Sequence, residues 1–137
     1  NQVSTEHVIE VLSEQVSGAY LEHLREKNVS YIFGGKKELD LDLVLQKLYR
    51  LFGIKRLRID GGGHVNGSFL KAGLIDELSL VLAPLADGTI GAPTIFEAEE
   101  GYGKRKATQF KLTSVKKIYD DFLWLRYETI RDKMPER

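Results

Sequence analysis

The chain has 137 residues, enough for one domain with one core. Lys plus Arg and Asp plus Glu number 20 each, so the net charge is zero, which argues against a general nucleic-acid binder or a polybasic membrane binder. Cysteine is absent, which excludes disulfides, thiolate catalysis and Cys-based metal sites.

A cysteine-free chain fits a reducing cytoplasm. No apolar run approaches the ~20 residues of a membrane helix, and no secretory signal opens the chain. A cytoplasmic protein is expected, without nucleic-acid or membrane partners. The start at Asn1-Gln2-Val3, with no Met, reads as a cut end, so a fragment of a longer chain is expected.

His7 to Leu12 is rich in β-branched residues and predicts a strand. Ser17 is suited to cap a helix over Gly18–Lys27, with Tyr20, Leu21 and Leu24 on one face and Asn28 closing it. Val29 to Phe33 predicts a buried strand with a tight exit at Gly34-Gly35. Asp40 is the expected N-cap of the next helix. Leu41, Val44, Leu45, Leu48 and Phe52 fall at helical spacing, and Gly53 closes it.

Ile54 to Ile59 predicts a further strand. A short helix follows over Val65–Ala72, stopped by Gly73, then a strand over Glu77–Ala83 that ends at Pro84. Alternating strands and helices imply a parallel sheet with right-handed crossovers. After Pro84 the pattern changes. Ala86–Pro93 is turn-rich, Thr94–Glu97 reads as a short extended piece, and Glu99–Lys106 as a polar loop. Ala107–Ile118 and Phe122–Ile130, joined by Tyr119-Asp120-Asp121, predict a β-hairpin. Arg131–Arg137 is a polar tail. One α/β domain with one mixed sheet is therefore expected: parallel strands, flanking helices and a C-terminal antiparallel hairpin.

The stretch Ile59-Asp60-Gly61-Gly62-Gly63-His64-Val65-Asn66-Gly67 carries the functional signal. Three glycines let a backbone turn sharply and approach a ligand closely. Bare N–H groups and the positive dipole end at a helix start make a seat for phosphate. The alternative is a crowded strand-to-helix turn with no ligand. A P-loop is excluded because His64, not Lys, follows Gly63. A Rossmann fingerprint fits poorly, since Asn66 takes the third glycine position and the next strand ends at Ala83-Pro84 rather than at an acid.

Asp60-Gly61-Gly62-Gly63, Asn66-Gly67, Ala72-Gly73-Leu74-Ile75-Asp76-Glu77-Leu78 and Ala83-Pro84, in that order, resemble the C-terminal reductase domain of bacterial riboflavin biosynthesis, RibD. Val29-Ser30-Tyr31-Ile32-Phe33-Gly34-Gly35 and Leu123-Trp124-Leu125-Arg126-Tyr127 agree with it, and the likeness runs from about Val8 to Tyr127. The resemblance implies a dihydrofolate-reductase-like fold. Residues 1–130 would be the C-terminal portion of one such domain, lacking the N-terminal segment that supplies the first strands and much of the substrate pocket. It implies hydride transfer from NADPH to a small pyrimidine-type substrate, as in 5-amino-6-(5-phosphoribosylamino)uracil reductase. It also implies a homodimer, and a fragment inactive by itself. A reductase of a different small molecule, and a non-catalytic nucleotide-binding or interaction module, remain alternatives.

By the resemblance, Gly61, Gly62 and Gly63 cradle the NADPH pyrophosphate, with a cis Gly-Gly peptide. His64, Val65 and Asn66 open the helix with N–H donors, and Asp60 contacts the substrate. Asp60 stands where the family carries Glu, a carboxylate one methylene longer. Asp60 as a turn or cap acid and His64 as an exposed turn residue are the plainer readings. Ser13 resembles the dihydrofolate-reductase position that meets the cofactor's 2′-phosphate, with a loop serine making local hydrogen bonds as the plainer reading, and Gly34 joins the cofactor set. Lys36 and Lys37 suit a phosphate or simply solvent. Trp124 and Tyr127 are expected to pack on the sheet. His7 and His23 lack partners at ligand spacing, and Asp76 and Glu77 point to opposite faces. No metal is expected.

Overall fold

The structure, a computed structural model, describes residues 7–86, 88–97 and 107–131, and the chain divides into two units, 1–58 and 59–137. The polar loop expected over Glu99–Lys106 lies outside the described residues, as does the tail beyond Arg131.

The first unit is a β–α–β–α run: β1 (Ile9–Ser13), α1 (Gly18–Glu26), β2 (Ser30–Gly35) and α2 (Leu41–Phe52). β1 and β2 pair in parallel, from Ile9 opposite Ser30 to Leu12 opposite Phe33. The register then shifts so that Ser13, the last residue of β1 rather than the first beyond it, faces Gly35. Ser17 caps α1, its side chain accepting from the Tyr20 N–H at 3.2 Å. After that helix Asn28 adopts φ 54, a left-handed conformation that Asn tolerates better than most residues. The Tyr20 hydroxyl donates to Glu10 Oε2 at 3.0 Å, and this bond to a carboxylate holds the phenol above its ordinary pKa.

α2 is capped as expected, with Asp40 Oδ1 accepting from the Leu43 N–H at 3.0 Å and Gly53 closing the helix at φ 68. Its apolar stripe supplies Val44 and Leu48, which with Ile32 form the buried cluster, flanked by Ile9, Val11, Phe52 and Ile54. The turn from β2 into α2 is possible only without side chains. A Cβ on Gly34 would sit 2.5 Å from Val44 Cγ2, and one on Gly35 2.0 Å from the Glu38 carbonyl oxygen. The Asp40 N–H donates to Gly34 O at 2.8 Å, and Lys47 Nζ donates to Phe33 O at 2.7 Å.

Ile54–Ile59 is not a strand, contrary to its pattern. Alternating apolar residues form a strand only when a neighbouring backbone supplies the ladder, and among the described residues none pairs with this segment. It is a connector whose first residue, Ile54, packs on the core cluster.

The second unit holds α3 (Gly63–Lys71), β3 (Glu77–Leu82), β4 (Phe110–Ile118) and β5 (Phe122–Thr129). α3 starts two residues earlier than its apolar spacing suggests, because Gly63 and His64 already have helical geometry; Gly73 stops it at φ 72. The three strands form an antiparallel sheet in the order β3-β5-β4. Among the described residues the strands fall into a parallel pair and an antiparallel sheet, and β3 runs antiparallel to β5 instead of joining a parallel set. The reason is β5: it returns from the Tyr119–Asp121 turn and lies between β3 and β4, so both its edges are taken antiparallel.

One face of this sheet carries Leu78, Leu80 and Leu82 of β3 opposite Tyr127, Leu125 and Leu123 of β5. In β4 the register slips between Leu112 and Ser114, and the Thr113 hydroxyl donates to Arg126 O at 3.0 Å. That extra residue brings Leu112 and Val115, three apart, onto the same face. The other face carries the polar pairs: Trp124 Nε1 donates to Ser79 Oγ at 2.8 Å, Lys116 Nζ lies 5.7 Å from the Trp124 ring centre, and Arg126 pairs with Glu77 at 3.0 Å. Asp76 pairs instead with Arg131, so the two adjacent acids have different partners.

Asp40→Ala removes one cap bond and is expected to cost about 1 kcal/mol. Gly35→Ala forces a Cβ into a backbone carbonyl and is expected to cost more, about 2–3 kcal/mol. Chemical denaturation of the two variants beside the wild type checks the order; equal losses would contradict the packing described for the β2–α2 turn.

Candidate functional site

Seven of the residues singled out in the sequence, Asp60 to Asn66, form the approach and first turn of α3. Gly62 is the N-cap, extended at φ −63 and ψ 176, and, being glycine, supplies no side-chain cap. The first four N–H groups at a helix start, from the N-cap onward, have no acceptor inside it. In α3 these belong to Gly62, Gly63, His64 and Val65. The Asn66 N–H differs: it donates to Gly62 O at 3.1 Å, so Asn66 closes the turn instead of offering a donor.

The glycines divide their work. A Cβ on Gly62 would meet nothing within 4 Å, so its flank is open. A Cβ on Gly61 would lie 2.8 Å from Val65 Cβ, so Val65 covers that position. Gly63 and Gly67 make room for something else, the turn Thr94–Glu97. A Cβ on Gly63 would lie 2.7 Å from Thr94 O, and one on Gly67 1.8 Å from Glu97 O. No peptide bond among the described residues is cis; an extended Gly62 suffices to start the helix, so the cis Gly-Gly bond is not required.

Thr94–Glu97 is therefore not the extended piece its sequence suggests. Its own side chains bend it: Glu97 Oε1 accepts from the Thr94 N–H at 3.1 Å, and the Thr94 hydroxyl donates to Phe96 O at 2.8 Å. The bent turn is then tied to α3. The Glu97 N–H donates to Gly63 O at 2.9 Å, Asn66 Nδ2 donates to Ile95 O at 2.9 Å, and His64 Nε2 lies 3.0 Å from Glu97 Oε2. The His64 side chain is 82% exposed and that of Glu97 30%, so this pair contributes at most about 1 kcal/mol. Sequence reading missed Glu97. The signal was Gly67: a glycine inside a helix costs about 1 kcal/mol relative to Ala, and close backbone approach is a reason to keep one.

Asp60 is exposed, immediately before the glycines. The remaining candidates belong to the first unit. Ser13 and Gly35 are opposite one another at the C-terminal ends of the parallel strands, with exposed Lys36 and Lys37 following. Gly34 is buried under Val44, Leu39 and Val11 side chains, and its carbonyl accepts from Asp40. The glycine at that position is accounted for by packing.

The α3 start has features that suit a phosphate group: amides without a side-chain cap among the described residues, the positive helix end, and an open flank at Gly62 that a Cβ would fill. The described residues contain no helix long and apolar enough to cross a membrane.

Among proteins of known function, a 2,5-diamino-6-ribosylamino-4(3H)-pyrimidinone 5′-phosphate reductase of Methanothermobacter thermautotrophicus is 36% identical over 73 residues, covering 53% of this chain and 33% of that protein. The protein of the same name from Aquifex aeolicus is 33% identical over 94 residues, covering 69% of this chain and 41% of its own. The chain thus spans well under half the length of these relatives. A pyrimidine reductase-like protein of Corynebacterium diphtheriae superposes with a TM-score of 0.73 at 20% identity, over 90% of this chain and 50% of the other. RibD of Acinetobacter baumannii superposes with a TM-score of 0.65 at 27% identity, over 80% and 29%. The fold is thus the α/β, dihydrofolate-reductase-like fold of these reductases. The model of the RibD C-terminal domain matches residues 3–124, and the chain belongs to that family.

Proposed function

We propose that the chain forms part of an NADPH-dependent reductase that transfers hydride to a ribosylaminopyrimidine phosphate. The observation that carries this is the uncapped start of α3 with its open flank at Gly62, directly after Asp60, in a chain whose family includes reductases of such a substrate. When bound, NADPH supplies the hydride. The protein's contribution is to hold two rings face to face and exclude water.

In this reading the Gly63, His64 and Val65 amides donate to the diphosphate, and Gly62 leaves the approach clear. Asp60 accepts from polar groups of the pyrimidine and orients its ring. The shorter carboxylate at Asp60 favours a second reading in which the same cofactor reduces a different small ring compound. A cysteine-free chain accords with the cytoplasm. The half-exposed Leu112 and Val115 leave an apolar area on the hairpin sheet for self-association into a dimer.

Fluorescence titration of the intact protein is expected to show NADPH binding more tightly than NADH; no binding of either would remove the reductase reading. Asp60→Asn is expected to lower kcat/KM for the pyrimidine phosphate by about tenfold to a hundredfold with the NADPH dissociation constant within about twofold of wild type; steady-state kinetics beside the titration check this.

The glycines give a second contrast. Gly62→Ala meets no protein atom within 4 Å and is expected to cost less than about 1 kcal/mol, yet to weaken NADPH binding about tenfold by filling the approach. Gly67→Ala strikes the Glu97 backbone at 1.8 Å and is expected to lose about 2–3 kcal/mol of stability. Thermal unfolding with and without NADPH separates the two effects.

A further inference from the structure

We propose that Glu97 is a positioning residue that sets the charge at the start of α3 and so limits how tightly this protein holds an anionic dinucleotide. The inference rests on the reductase reading for the identity of the ligand, and on the geometry of the Thr94–Glu97 turn for everything else.

Glu97 has two separable parts. Its backbone belongs to the clamp: the N–H donates to Gly63 O at 2.9 Å, and its carbonyl lies where a Cβ on Gly67 would be. Its carboxylate does something a clamp does not need. The Cδ lies 2.8 Å from where a Gly63 Cβ would be, so a negative charge sits beside the first helical residue. A carboxylate there ordinarily caps the helix by accepting from its N–H groups. This one does not: Oε1 accepts from the Thr94 N–H and Oε2 faces His64 Nε2, and the N-cap Gly62 has no side chain to take the donors. The helix therefore keeps its donors, while the positive potential around them is lowered by a charge that takes none of them.

A diphosphate approaching those amides meets both effects. The donors attract it, and the Glu97 charge opposes it. His64 moderates the opposition by taking part of the carboxylate's field through the 3.0 Å contact. Such an arrangement exchanges ground-state affinity for release. An oxidised cofactor must leave after each turnover, and uniformly tight binding does not raise kcat.

The test uses the intact protein and NADPH. Glu97→Gln keeps an acceptor for the Thr94 N–H and removes the charge. It is expected to tighten NADPH binding about two- to fivefold at low salt, with the unliganded melting temperature unchanged. The difference should shrink at about 1 M salt, where screening acts within ~3 Å. His64→Ala alters an exposed side chain; it is expected to weaken NADPH binding by a similar factor, and to have no effect on binding in the Glu97→Gln background.

Wild-type binding with an unchanged or weakened Glu97→Gln variant would overturn this proposal and leave the reductase reading intact. An effect of Glu97→Gln that persists at high salt would also overturn it, since a purely structural role does not screen. Should Glu97→Gln melt early, His64→Ala still decides: a dissociation constant equal to wild type at low salt counts against the proposal. Failure of the wild type to bind NADPH at all would overturn the reductase reading and this proposal together.

Discussion

The architecture around the candidate site depends on one constraint, the approach of one backbone to another at positions where a Cβ has no room. At Gly67 the Glu97 carbonyl occupies the space of a side chain, and at Gly63 the Thr94 carbonyl and the Glu97 side chain do so. Everything else at the start of α3 follows. The turn can sit on the helix only because those residues are glycine. Once seated it satisfies the Gly63 carbonyl, holds Asn66, and brings Glu97 to His64. The first unit uses the same device at Gly34 and Gly35, where Val44 and the Glu38 carbonyl take the vacant space and the Asp40 cap is brought onto the end of β2.

The cost of this device is entropic, because glycine loses more backbone freedom on folding than any other residue. It is offset locally by hydrogen bonds, each worth about 1 kcal/mol net, rather than by burial. Among the described residues the hydrophobic core is small: Leu24, Ile32, Val44, Leu48 and Phe69 are the buried apolar residues. Around α3, directional bonds from Thr94, Asn66 and Glu97 therefore carry much of the precision that a larger core supplies by packing. Precision of that kind suits a site whose working groups are backbone amides. Amides are aimed by the helix and the turn, and they do not depend on rotamers.

Much of the local fold was legible because capping and turn chemistry are written in single residues. Ser17, Asp40, Gly53 and Gly73 act where their side chains, or their lack of one, dictate, and the hairpin over Tyr119–Asp121 follows from two β-rich runs. Pairing was less legible. Ile54–Ile59 has a strand's pattern, yet a ladder requires a partner that a local pattern does not specify. β3 looked like one more parallel strand because a helix precedes it, but its partner, β5, comes later in the chain. The site was half legible for the same reason. Asp60 and the glycines are contiguous, so the motif exposed them. Glu97 reaches α3 from 34 positions beyond Gly63, so its only trace was the unexplained glycine at position 67.

On the proposed reductase reading, no catalytic dyad is needed among the described residues. Hydride transfer asks for alignment and a dry contact more than for a nucleophile or a base. A scaffold for it can be built from a positive helix end, a clear approach and one orienting carboxylate. On that reading Asp60 is the orienting carboxylate: it immediately precedes the glycines, so the same backbone that presents the amides of α3 also carries the acid. Adjacency in sequence links the two recognition tasks mechanically. A Cβ on Gly61 would meet Val65 and one on Gly62 would meet nothing within 4 Å, so of the two links between the helix start and the carboxylate only Gly62 has room for a side chain.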